Sequence, residues 1–129
     1  MVHSQKERPL ILIVEDEFLI RAATAEAIRD AGFEVLEAST ADDAIAILEN
    51  RRDIRVVFTD LQMPGSMDGA RLAHAVRNRW PPIHIIATSG QYGFQNVDLP
   101  KGAAFFPKPY SPPEIARHVC ALIGFSYEG

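Results

Sequence analysis

The run "LILIV", Leu10–Val14, constrains the fold more than any other stretch. Five consecutive apolar residues offer no polar face, so a strand made from them must be covered on both sides. "RVVFTD", "IHIIATSG" and "AAFF" read as further strands of that kind, and "FEVLEA" alternates like a half-buried one. Helical patterns fall between them. From Glu17 to Ala31, residues Ile20, Ala23, Ala27, Ile28 and Ala31 share one face, and Gly32 is a natural stop. Thr40 is placed to cap a helix with Ala41, Ala44, Ile45 and Leu48 at i, i+3, i+4, i+7 spacing. A helix from about Asp68 to Trp80 turns Leu72, Ala73, Val76 and Trp80 inward. The last helix has Ser111 as N-cap, Pro112 at its first position, Glu114 closing a capping box, and a stripe of Ile115, Val119 and Leu122. Strands alternating with helices predict an α/β chain with a parallel sheet covered on both faces.

Bulk properties narrow the setting. A chain of 129 residues predicts one domain, spanning 9–125 behind a flexible tail at 1–8, with no output domain following. The net charge of -4 gives no footprint for direct nucleic-acid binding. A single cysteine, Cys120, excludes an internal disulfide and suits a reducing compartment. "PLILIV" is too short for a membrane span and lacks a signal-peptide context. The expected location is the cytoplasm.

In parallel α/β sheets the working site lies beyond the carboxyl ends of the strands. Those ends carry Glu15, Asp16 and Glu17, then Asp60, then Thr88 and Ser89, then Lys108 between two prolines. Carboxylates crowded together repel unless a cation joins them. An oxygen-lined acidic pocket with an open side suits Mg2+. A carboxylate beside Mg2+, a lysine and a hydroxyl is equipped to receive a phosphoryl group, which needs an aligned nucleophile and cations on its oxygens. Asp60 is then the nucleophile, Lys108 neutralises phosphoryl oxygens, and Thr88 donates a hydrogen bond. Each residue also has an ordinary reading: Asp60 as a turn residue, Glu15 and Asp16 as helix-capping acids, Thr88 as a plain strand residue, Lys108 as a surface lysine. Their joint arrival at one sheet edge favours the site. His3, His74, His84 and His118 share no ligand spacing, and Cys120 reads as a small helix residue.

The constellation resembles the receiver domain of two-component response regulators, of the stand-alone type. The matching pieces are "ILIVEDE", "VVFTDLQMPGSMDG", "IIATSG" and "FFPKPY". The resemblance implies a flavodoxin-like (βα)5 three-layer sandwich with strand order 2-1-3-4-5. It implies a metal site of Asp16 and Asp60, with the Gln62 backbone carbonyl as a further ligand and Glu15 acting through water. It further implies phosphorylation of Asp60, a cis peptide before Pro109, and Phe105 as an aromatic that changes rotamer with phosphorylation. The implied partners are a sensor histidine kinase or phosphotransfer protein and a downstream protein, with the chain a monomer or weak homodimer. The chain would signal, or act as a phosphate shuttle or sink, without a separate turnover substrate.

The sequence departs from the family pattern in two places. The loop "LQMPGSMDG" is one residue longer than the commonest form, which Gly65 and Gly69 can absorb. Gly90 to Gly102, "GQYGFQNVDLPKG", lacks a helical stripe where a receiver usually has its fourth helix, so that helix is expected to be short, irregular or mobile. "ATSGQY" resembles the subgroup with "FATG" after strand four, though Ile86 replaces the phenylalanine; Tyr92 or Phe94 is a candidate to take part in coupling. An aspartyl-phosphate phosphatase would place a second acid where this chain has Gln62. A pseudo-receiver would lack some of the five site residues, and a flavodoxin-like cofactor binder would need a Gly-rich phosphate loop after the first strand.

Overall fold

The computed structural model describes residues 8–63, 67–90 and 98–124. The elements run β1 (Leu10–Val14), α1 (Phe18–Asp30), β2 (Glu34–Ala38), α2 (Ala41–Asn50), β3 (Ile54–Asp60), α3 (Gly69–Arg79), β4 (His84–Ser89), β5 (Ala104–Pro107) and α4 (Pro112–Ile123). All five strands are parallel, in the order β2-β1-β3-β4-β5 expected for the flavodoxin-like sandwich.

The apolar run of β1 shows why both sheet faces need covering. Side chains alternate along a strand, so Leu10, Leu12 and Val14 enter one core with Ala44 and Leu48 of α2 and Leu72, Ala73 and Val76 of α3. Ile11 and Ile13 enter the other, with Ala25 and Ile28 of α1 and Ile115, Ala116, Val119 and Cys120 of α4. The three layers follow directly.

The Thr40 cap forms as read, its side chain accepting the Asp43 N–H at 3.0 Å. Thr40→Ala is expected to cost about 1 kcal/mol in urea unfolding; a change below the error of the measurement would show the cap to be idle.

Other local expectations are corrected. Ala23 is exposed, while Thr24 and Ala25 are buried with Ile28. The stripe of α1 is rotated because these residues pack where α1 meets α4. Ser111 is the N-cap of α4 by backbone geometry, but its side chain makes no cap bond, so the capping box is absent. Pro112 and Pro113 have no N–H to satisfy, and the Glu114 N–H donates to the Ser111 carbonyl at 2.9 Å. Trp80, by contrast, turns inward as expected: it is half-buried against the core at the end of α3, with the Arg79 guanidinium 4.4 Å above its ring.

Four helices are present among the described residues. The expectations for Gly65, Tyr92 and Phe94, and for a helix before β5, fall wholly or largely outside them. Residues 98–100 have no regular structure, and His74 of α3 holds the Asp98 carbonyl at 2.8 Å. No described helix is long and apolar enough to cross a membrane.

Candidate functional site

The sheet ladder carries each candidate residue to one edge. The Glu15 N–H donates to Ala38 O at 3.0 Å, Leu61 N–H to Thr88 O at 2.8 Å, and Lys108 N–H to Ser89 O at 3.0 Å. Asp60 stands opposite Thr88 in register. Parallel pairing therefore brings residues distant in sequence to neighbouring positions.

Lys108 Nζ lies 2.7 Å from Asp60 Oδ2 and 3.1 Å from Glu15 Oε1. Asp60 and Glu15 are both buried, at 4% and 1% exposure. A buried carboxylate is costly unless hydrogen-bonded and paired. Asp60 meets this need through Lys108 and through the Gln62 N–H, 2.9 Å from Oδ1. Glu15 receives the Glu17 N–H on Oε2 at 3.0 Å, at the N-terminus of α1. Its role as a helix-end acceptor thus coexists with its place in the site.

The electrostatics are those of a crowded pocket. Burial pushes the Glu15 carboxyl above its usual range; the Glu17 N–H opposes this, the Asp60 charge adds to it, and Lys108 draws it back. Burial also works against the Lys108 ammonium, but its hydrogen bonds and pairing with Asp60 and Glu15 outweigh that and hold its pKa above the ordinary lysine value. The lysine stays charged.

Asp16 is exposed at the mouth. Glu15, Asp16 and Asp60 each offer a carboxylate oxygen, and these oxygens lie within 4.8 Å of one another. This all-oxygen set, closed below by buried groups and open at Asp16, fits a hard divalent cation. Thr88 Oγ1 is buried and has no hydrogen-bond partner among the described residues. Thr88 stands opposite Asp60 in register, and a buried hydroxyl without a partner is uncommon.

Phe105 is half-buried in β5, opposite Ala87. Gln62 is exposed, and its side-chain oxygen accepts from Ser89 Oγ at 3.1 Å. The peptide before Pro109 is cis. All seven sequence-derived site residues lie among the described residues, and Glu15, Asp16, Asp60, Thr88 and Lys108 converge.

Three features escaped sequence reasoning. Arg21 donates to the Glu15 carbonyl at 2.8 Å and to Glu37 at 3.1 Å, tying α1, β2 and the acidic edge together. Nothing in the spacing of Arg21 and Glu37 signals this. Tyr110 holds the Thr24 hydroxyl at 2.8 Å and packs its ring 5.4 Å from that of Phe58. Gly69 begins α3 against the Asp60 backbone: a Cβ there would overlap the Asp60 carbonyl oxygen and stand 2.8 Å from Leu61 Cα. Its function is close approach, beyond the loop slack read from sequence.

Comparison with known proteins agrees with this arrangement. A family model described as the response regulator receiver domain matches residues 11–119. The chain is 34% identical over 117 residues to the sensor kinase CckA of Brucella abortus, covering 88% of this chain and 12% of that protein. It is 31% identical over 118 residues to the phosphate regulon transcriptional regulatory protein PhoB of Pseudomonas aeruginosa, covering 88% of this chain and 51% of that one. The chain therefore spans only about an eighth and a half of these two relatives. The crystal structure of a response regulator receiver protein from Sinorhizobium medicae superimposes with a TM-score of 0.82 at 26% identity, covering 92% of this chain and 97% of that one. With every strand but the first residue of β1 inside the matched span and the acidic edge assembled as that architecture requires, the chain belongs to the response regulator receiver domain family.

Proposed function

We propose that Asp60 accepts a phosphoryl group from the phosphohistidine of a sensor kinase or phosphotransfer protein, and that the phosphorylated form signals by a shift in conformation. The observation that carries this reading is the buried Asp60 carboxylate, held 2.7 Å from the Lys108 ammonium beside the unpartnered Thr88 hydroxyl. An Asp60 carboxylate oxygen attacks phosphorus, the P–N bond breaks, and the imidazole leaves with the bonding electron pair. The product is an acyl phosphate. Lys108 offsets the charge on the phosphoryl oxygens, and the Thr88 O–H donates to one of them.

Receiver domains generally bind Mg2+ at an acidic pocket, and Asp16 and Asp60 would hold it here. The Gln62 carbonyl would serve as a further ligand and Glu15 through water, consistent with the two protein partners Glu15 already has. When bound, the ion supplies positive charge toward the incoming phosphoryl oxygens. Phe105, half-buried on the edge strand, would change rotamer with phosphorylation and carry the change outward. Phe18 and Leu19, 65% and 79% exposed at the start of α1, flank the site and support docking of the donor on this side.

A small phosphoryl donor with Mg2+ should add one hydroxylamine-labile phosphoryl group to the chain, and Asp60→Asn should abolish it. Undiminished labelling of that variant would refute the assignment.

A further inference from the structure

The opposite end of the sheet holds a hollow lined by arginines and one tryptophan. Arg55 is the one exposed residue of β3. In the pairing with β1, Leu10 faces Ile54 and Ile11 faces Val56, so Arg55 is an extra residue with no opposite number. Such irregularities re-aim side chains. Arg55 is turned into a hollow of about 310 Å³ at the amino-terminal edge of β3 and β4. That hollow lies about 17 Å from Asp60 along the strand.

The walls are fixed. Arg77 donates to the carbonyls of Pro81 at 2.8 Å and Ile83 at 3.0 Å, and the Ile83 N–H returns to Trp80 O at 3.0 Å. Two successive prolines stiffen the same segment. Trp80, Pro82, Ile83 and Ile54 give the hollow an apolar and aromatic lining. Arg79 lies over Trp80 at 4.4 Å and is held there by Glu49 at 2.9 Å.

The charge is unlike that of the rest of the chain. Arg51 pairs with Asp53 at 2.7 Å, with Glu34 nearby, and Arg79 pairs with Glu49. Arg52 and Arg55 have no ion-pair partner among the described residues, and both line the hollow. A protein of net charge -4 thus keeps two uncompensated guanidinium groups beside a rigid aromatic wall. Guanidinium forks match phosphate oxygens, and a planar ring stacks on tryptophan or arginine.

We propose that this hollow binds a small nucleoside phosphate, with its phosphate on Arg52 and Arg55 and its base against Trp80 and Arg79. The volume falls at the lower end of small-ligand pockets. It is too small to seat a helix, and the negative chain as a whole disfavours a nucleic-acid polymer.

Trp80 is the sole tryptophan, so its fluorescence reports on the hollow directly. Nucleoside monophosphates and diphosphates should bind saturably by calorimetry and change that fluorescence. A nucleoside lacking phosphate, and pyrophosphate lacking a base, should each bind about tenfold more weakly. The exposed double replacement Arg52→Ala with Arg55→Ala should weaken nucleotide binding at least about tenfold, with circular dichroism unchanged. Asp60→Asn should bind nucleotide as the parent does, which separates this site from phosphoacceptance. The proposal is overturned if no nucleotide binds, if pyrophosphate alone binds as tightly, if the double variant retains full affinity, or if only an acidic peptide elicits the response.

Discussion

Lys108→Met is expected to lower unfolding free energy by about 3 kcal/mol at neutral pH, because it leaves two buried carboxylates without their cation. Glu15 and Asp60 have side chains 1% and 5% exposed, against 19% for Lys108. Solvent reaching the lysine puts the cost at the low end for a broken buried pair. The loss should depend on pH in a definite direction. Glu15 has a raised pKa in the folded chain, from burial first. Its stabilising contribution is therefore complete below the unfolded value of 4.5 and fades as pH rises through the folded value. Without the Lys108 ammonium, Glu15 shifts further up. The deficit of the variant should then be largest at neutral pH and shrink as pH falls toward 4.5. Urea unfolding of both proteins across that range checks this. A deficit that is constant with pH would show that the lysine stabilises by packing alone.

Gly69→Ala is expected to cost about 3 kcal/mol or more, at the upper end of overpacking effects. The added methyl would collide with the Asp60 carbonyl, which is backbone and cannot swing aside. Relief requires moving either the start of α3 or the end of β3. The second movement displaces Asp60, the proposed phosphoacceptor, so phosphorylation should slow as well as stability fall. Equilibrium unfolding and the rate of labelling by a small phosphoryl donor measure the two effects. A variant within 0.5 kcal/mol of the parent (about the scatter of harmless surface changes) would mean that the helix start yields freely.

Much of this was legible in advance, for physical reasons particular to each residue. Leu10–Val14 had to be a doubly covered strand because no arrangement of alternating side chains leaves it a polar face. Thr40 announced its helix because its oxygen satisfies an N–H three residues on, a wholly local bond. Asp60, Thr88 and Lys108 could be grouped because each follows an apolar strand, and parallel strands end together. Where local rules failed, a second element intervened. Ser111 carries the right side chain for a cap, but the prolines after it remove the need. Ala23 has the right spacing for burial, yet the approach of α4 turns Thr24 and Ala25 inward in its place.

The identity of the acidic and cationic residues, and the strand ends they occupy, were determined by the sequence alone, because hydrophobic periodicity sets where strands begin and stop. Only the tertiary structure decided that Arg21 braces Glu15, that Gly69 must lack a side chain, and that Arg55 turns outward beside Trp80. These depend on distances between backbone segments far apart in the chain. Such distances are set by packing and register, which no local pattern encodes.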